Sequence, residues 1–510
     1  MFQSILFCKQ HDHALCTAQP DCFRDLNLDQ LMGPVLKREE NPELAALYYT
    51  PLQDPDEIRY RQSFLQDLLP AHTWKIWDRF SQEIRSLNEY LKIARADLSS
   101  GDPWRCNYLL YGHFLDYGER YCRAVERLQE DISEMPVQSE AMRRTIRSIE
   151  QLCSSDFYRQ LQQALASLRG EFDQIQYCML IKNGTIRVKK YESEEDLSEK
   201  ITDLFKKFQR EDGKNYLQKF SEVPHADHVE AGVLQCLSHL YPQLFRELEA
   251  YVHRFSDFLD HGLVRFCCEI QFYLSCLKQI EQERECGLSF CFPSFGTADL
   301  FANGIYDIVL AGKIGSRIVR NDFSLHAPER LLVVTGPNQG GKTTFARAIG
   351  QVHYLASLGL CVPGVSARLL LPDRVLTHFE REETLTGLHG KLEDDLQRLH
   401  DLLQAATDRS LVIINEIFAS TVLKDAVSLG NHMMEALTRK GACGVIVTFL
   451  DTLAQHGPET VSMVSTVDPV SPEIRTFQVV RKPPDGLAYA MTLAAKYGLT
   501  HDQILRRISP

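Results

Sequence analysis

The run Gly336-Pro337-Asn338-Gln339-Gly340-Gly341-Lys342-Thr343 has the spacing GxxxxGK[ST]. Glycines let successive backbone N–H groups turn inward on an anion, and the N-terminus of a following helix adds positive potential. In that chemistry Lys342 reaches the β- and γ-phosphates of ATP, and Thr343 offers its hydroxyl to Mg²⁺. A second pair of interest closes the apolar run Leu411-Val412-Ile413-Ile414, which ends in Asn415-Glu416. A strand ending in an acidic pair beside such a loop orients the metal with its first member. The second takes the proton of the attacking water. Here Asn415 keeps an oxygen but lacks the charge, and Glu416 is the candidate general base. The plain alternatives are a glycine-rich turn and a solvated carboxylate at a strand end.

These residues need a strand before each of them and a helix after the loop. Leu331 to Thr335, Ser410 to Ile414 and Gly444 to Thr448 read as buried strands, and Thr343 to Leu358 as the helix. Short β-branched runs alternating with helices imply a mostly parallel sheet, hence an α/β domain from about residue 286. Before it, helical periodicity dominates from Trp74 to about Gly170. It breaks at Gly101-Asp102-Pro103 and near Pro136, resumes at about Asp196 and stops near Cys286-Gly287. It is strongest at Leu244, Leu248, Tyr251, Phe255 and Phe258, a packing stripe. Alternation around Asn183-Gly184 predicts a β-hairpin over about 177–191. Gly33-Pro34, Asn41-Pro42 and Asp54-Pro55 read as turns in a mixed opening stretch.

Of the 510 residues, 44% are apolar and 24% charged, which excludes a largely disordered chain. With 56 Lys+Arg against 68 Asp+Glu the net charge is −12, so any nucleic-acid contact must come from a local patch. No apolar stretch is long enough to span a membrane, and the N-terminus lacks the basic segment of a signal peptide. Fifteen cysteines without a CxxC pair read as reduced thiols of a cytoplasmic protein. Cys8, His11, His13 and Cys16 form the one cluster with metal-ligand letters, but its spacing is not that of a structural zinc site.

The stretch TGPNQGGKTT resembles the phosphate loop of MutS-family ATPases, TGPNMGGKST. Val319-Arg320-Asn321-Asp322 is similar to the family's PND segment. Ala348 to Pro363 is similar to its next helix and turn, and Asp485 to Leu499 to its closing helix. Tyr48 to Leu52, Tyr60-Arg61-Gln62 and Phe272-Tyr273-Leu274 resemble its core and lever helices. The resemblance implies a helical core/lever domain over 1–285 with a small hairpin, and an ABC-type P-loop ATPase domain over 286–510. It implies nucleotide contacts by Asn321, Gly336, Pro337, Asn338, Gln339, Gly340, Gly341, Lys342, Thr343 and Thr344. It further implies a metal held through Thr343 and Asn415, catalysis by Glu416 and Lys342, and a homodimer in which Gly390 stands at the partner-facing signature position. Departures from the pattern are Asn415 for the usual Asp, Gly390 for Ser, Phe418-Ala419-Ser420-Thr421-Val422 for GRGTS and Phe449 for the switch His. No mismatch-reading segment is seen within these residues; Phe245-Arg246-Glu247 has the letters but lies in the packing stripe.

The implied function is an ATP-gated dimeric clamp or sensor of mismatched or structured DNA, linked to mismatch repair or recombination, with slow hydrolysis. The hairpin's Lys182, Arg187, Lys189 and Lys190 could touch phosphates, although Glu192, Glu194, Glu195 and Asp196 follow directly. A second reading is an ATP-gated protein-interaction switch without nucleic acid, and a third is a pseudo-ATPase.

Overall fold

The computed structural model describes residues 2–9, 14–39, 42–99, 107–193, 228–380, 391–418, 421–471, 474–484 and 497–508. His11, His13, Gly390, Ala419, Ser420, Glu194 to Asp196 and Asp485 to Lys496 lie outside the described residues. Near the N-terminus come helices α1 (Cys22–Asp25), α2 (Leu28–Glu39), α3 (Pro42–Tyr49) and α4 (Pro55–Leu68). Next are α5 (Ala71–Ser99), α6 (Asn107–Ile132), α7 (Glu140–Ser154), α8 (Asp156–Phe172) and the hairpin β1 (Tyr177–Lys182) and β2 (Thr185–Lys190). Helices α9 (His228–Leu240), α10 (Pro242–Phe255), α11 (His261–Glu269) and α12 (Gln271–Glu285) follow.

Two of the expected turns are helix starts or interiors instead. Asp54 caps α4 by accepting from the Asp56 N–H, and Pro55 takes the first helical position, where a missing N–H costs nothing. Gly33-Pro34 lies inside α2, because burial of Leu28 and Met32 overrides the local turn signal. The hairpin is as expected: Asn183 and Gly184 both have positive φ, as a two-residue turn between antiparallel strands requires.

By compactness the chain divides otherwise than at a single cut near residue 285. One unit takes Met1–Gln3, Lys75–Pro136 and Arg143–Cys268; the other takes Ser4–Trp74, Val137–Met142 and Glu269–Pro510. The first is helical apart from the hairpin. Its core joins Phe114, Tyr121 and Val125 of α6, Leu161 and Leu165 of α8, and Leu248 and Tyr251 of α10, all buried. Helices α6 and α10 approach closely at Gly118, where a side chain would strike the Tyr251 hydroxyl.

In the second unit come β3 (Phe290–Cys291), β4 (Ser294–Phe295), β5 (Leu300–Ile305), α13 (Ile308–Ile314), β6 (Asn321–Leu325), β7 (Leu331–Thr335) and α14 (Lys342–Ser357). Then follow β8 (Val362–Pro363), β9 (Ser366–Leu369), β10 (Val375–Phe379), α15 (Lys391–Ala405), β11 (Leu411–Asn415) and α16 (Leu423–Lys440). Last are β12 (Cys443–Val447), β13 (Thr460–Val467), β14 (Arg475–Arg481) and α17 (His501–Ile508). The main sheet runs β10-β11-β12-β7-β13-β14, parallel except for β14. Strands β7, β11 and β12 are buried at every residue, as continuous apolar runs covered on both faces must be. Parallel register carries the carboxyl ends of β7, β11, β12 and β13 to one edge, where ligands of open parallel sheets bind.

Candidate nucleotide site

The loop Gly336 to Gly341 leaves β7 and delivers the chain to α14, whose first residue is Lys342. Gly336 and Gly341 have φ of 114° and 90°, values open to glycine but costly for a side chain, and Gln339 is left-handed at 60°. Lys342 is buried at the base of the loop. Its Nζ donates to the carbonyls of Gly336 at 2.9 Å and Pro337 at 3.1 Å, and to Asn338 Oδ1 at 3.3 Å. Burial holds its pKa below the ordinary lysine range, Glu416 pulls it back up, and Arg475 adds to the lowering.

Strand pairing places the second predicted pair beside this loop. Asn415 is paired with Phe379 and Val447 on either side, and the Glu416 N–H donates to the Val447 carbonyl at 2.9 Å. Thr343 Oγ1 donates to Asn415 Oδ1 at 2.8 Å, so the two side chains expected at the metal meet across residues far apart in sequence. Glu416 turns out of the strand at φ 53° and lines one cavity of about 330 Å³ with Gln339, Gly341, Lys342 and Thr343. Left-handed backbone at a non-glycine residue is held against a local cost, and Phe418 at 61° repeats it two residues on. The buried Phe418 ring anchors that turn in the core under β11 and α16. Gly340 and Thr344 line the same cavity.

Asn321 also borders the cavity, but both ends of its amide are engaged by β14. Oδ1 accepts from the Val479 N–H at 2.7 Å, and Nδ2 donates to the Phe477 carbonyl at 3.2 Å. That clamp fixes Phe477, whose φ is 59° and whose half-exposed ring packs near Gly341. Phe477 and Ser465, described below, carry no local motif; each is defined only by long-range pairing. The apolar wall of the cavity is Leu310, Ile314 and Ile318, so the glycine loop lines one side and a hydrocarbon surface the other. Thr448 is buried with its N–H on the Val334 carbonyl, and Phe449 is half-exposed beyond it. Among the described residues no three His, Cys, Asp or Glu side chains group as a metal site, so a cation here would rest on Thr343, Asn415 and ligand oxygens.

A glycine-rich loop, a buried lysine and a carboxylate thus stand together at the edge of a parallel sheet. Residues 332–504 match the model of MutS domain V, the ATPase domain of that family. Over 194 residues, 37% of this chain, the sequence is 32% identical to Endonuclease MutS2 of Thermus thermophilus. Over 173 residues, 34% of it, the identity to Endonuclease MutS2 of Gemmatimonas aurantiaca is also 32%. The alignments span 25% and 21% of those relatives' own lengths. The family model and both relatives support a MutS-family member, and they do so through residues of this C-terminal domain alone.

Proposed function

We propose that this chain binds ATP in the cavity at Lys342, hydrolyses it slowly, and uses the nucleotide to gate a DNA-binding homodimer. The observation that carries the reading is the Thr343–Asn415 hydrogen bond, which supports loop and strand end acting as one site with Glu416 beside them. The N–H groups of Gly341 and Lys342 bind phosphate oxygens, with Pro337, Asn338, Gln339 and Gly340, whose own N–H is turned onto the Pro337 carbonyl, shaping the loop and Thr344 opening the helix. The base lies on the apolar wall, against Phe477 positioned by Asn321. Thr343 and Asn415 would hold Mg²⁺, which they fit as neutral oxygen donors, and the ion would supply positive charge to the site. Glu416 accepts the proton of the attacking water, and Gly390 of a second copy meets the terminal phosphate.

Because Asn415 contributes no charge, magnesium would be held more weakly than by a carboxylate at that position. Asn415→Asp is therefore expected to lower the magnesium concentration at half-maximal turnover several-fold. A magnesium titration of steady-state ATPase activity checks this, and an unchanged midpoint removes Asn415 from the metal site.

Support for DNA comes from the likeness of residues 332–504 to the MutS family and from the hairpin, whose Lys182 and Arg187 stand exposed beside the bare Ile181. Lys189 is 3.7 Å from Glu192, and Lys190 lies over the Tyr241 ring, so those two are less free for phosphates. The described cysteines are free, as a cytoplasmic protein's would be, and no described helix is long and apolar enough to cross a membrane. The test is ATPase rate, DNA binding and mass by light scattering, with matched, mismatched, branched and single-stranded DNA. We expect ATP rather than ADP to favour the dimer, and DNA affinity to fall steeply as salt rises. ATP-dependent shape change without DNA binding at low salt would favour the protein-interaction switch, which the net charge of −12 suits.

A further inference from the structure

The β7–β13 ladder stops at Val464 opposite Thr335, where the glycine loop peels away from the sheet. The next residue of β13, Ser465, is fully buried under that loop. Its hydroxyl donates to the Gly340 carbonyl at 2.6 Å, continuing with a side chain the pairing that the backbone has given up. Its main chain presses on the loop from below: a Cβ on Gly336 would lie 2.7 Å from the Ser465 carbonyl oxygen and 3.1 Å from its nitrogen. A Cβ on Gly340 would strike the Ser465 hydroxyl itself. Two of the loop's glycines are thus set by contact with this one residue. Ser465 is held in turn by pairing with Val479 of β14, and a register shift follows between Ser465 and Val467.

Peptide planarity turns this contact into a statement about the cavity. In a trans peptide the C=O and the following N–H point in opposite directions. With the Gly340 carbonyl drawn down onto Ser465, the N–H of Gly341 is aimed up, away from β13 and into the phosphate side of the cavity that Gly341 lines. We infer that Ser465 is a positioning residue of the nucleotide site: its hydroxyl orients the Gly340–Gly341 peptide so that the Gly341 N–H is preset as a donor to a phosphate oxygen. This rests on the proposed nucleotide reading and adds to it a residue from a distant strand. Without the hydroxyl, the peptide is free to rotate, and the buried Gly340 carbonyl loses its partner. Binding must then re-order the loop.

The test compares wild type, Ser465→Ala and Ser465→Thr by fluorescence titration with a non-hydrolysable ATP analogue, with ADP and with AMP, alongside thermal midpoints without nucleotide. For Ser465→Ala we expect the analogue and ADP to bind about tenfold more weakly, the scale of one hydrogen bond that is strengthened by charge. AMP, which has no phosphate reaching the loop's base, should be little affected. Ser465→Thr, which keeps the hydroxyl, should recover most of the lost affinity. Equal analogue binding by wild type and Ser465→Ala overturns the proposal. So does a loss for the analogue, ADP and AMP alike that tracks a lowered midpoint, since that is the mark of a merely structural serine. If the wild type binds no nucleotide at all, the nucleotide reading itself fails and takes this inference with it. The two failures are therefore distinguishable.

Discussion

Glu416→Gln is expected to bind ATP with near-wild-type affinity and to turn it over about 10²–10⁴-fold more slowly, the usual worth of a general base. Gln keeps the size and hydrogen-bonding shape of the side chain but cannot take a proton. The residue lies where such a base must be: one position beyond β11, its N–H fixed on the Val447 carbonyl, its side chain in the cavity with Lys342 and Thr343. The left-handed φ of 53° is part of that placement, since an extended Glu416 would continue along β11 rather than turn. Single-turnover hydrolysis with radiolabelled ATP, with affinity measured separately, checks the expectation. Normal hydrolysis by the variant would falsify the assignment of Glu416 as base. Absence of hydrolysis in the wild type, under every DNA condition, would instead make the chain a nucleotide-binding switch.

Legibility of this site in the sequence tracks how local each signal is. The loop and its flanks were readable because strand, glycines, lysine and helix are contiguous, and the structure has the strand at Leu331–Thr335 and the helix at Lys342–Ser357. Asn415 and Glu416 were readable because an apolar run ended in polar residues. Ser465 and Phe477 were not, because neither sits in a motif and both meet the loop only through pairing of β13 with β7 and β14. The same holds for the opening stretch, which packs with the sheet domain in one unit. Nothing local in the sequence marks Arg61 as buried, yet it lies between the Phe7 and Phe272 rings and donates to the Leu6 and Leu358 carbonyls at 2.9 Å. Glu57, also buried, accepts from the N–H groups of Cys8 and Lys9 at 2.7 and 3.0 Å. Buried charges with distant backbone partners leave no periodic trace. The hairpin, built on one local turn, left a clear one.

Lys342→Ala is expected to weaken ATP binding by about 10²-fold or more, on the scale of two charge-assisted hydrogen bonds at roughly 1.5 kcal/mol each or above. The ammonium has two tasks that the substitution separates. It ties the loop together through the Gly336 and Pro337 carbonyls, and in the proposed site it supplies the positive charge for the β- and γ-phosphates. Lys342→Met keeps the stem's packing and loses the charge, so equal losses in both variants assign the effect to charge, and a milder loss in Met assigns part to packing. The pH dependence gives an independent check. Burial already lowers the pKa of the free site, whereas a bound triphosphate stabilises the protonated form and raises it. Affinity must therefore fall as pH rises through the lowered pKa of the free site, because binding then has to take up a proton. That alkaline loss should be present in the wild type and absent in Lys342→Met, as read by titration calorimetry in buffers of different ionisation enthalpy. Unchanged affinity in Lys342→Ala would sink the assignment of this loop as a phosphate site, and with it the roles given to Thr343, Glu416 and Ser465, since each is defined by where the phosphates lie.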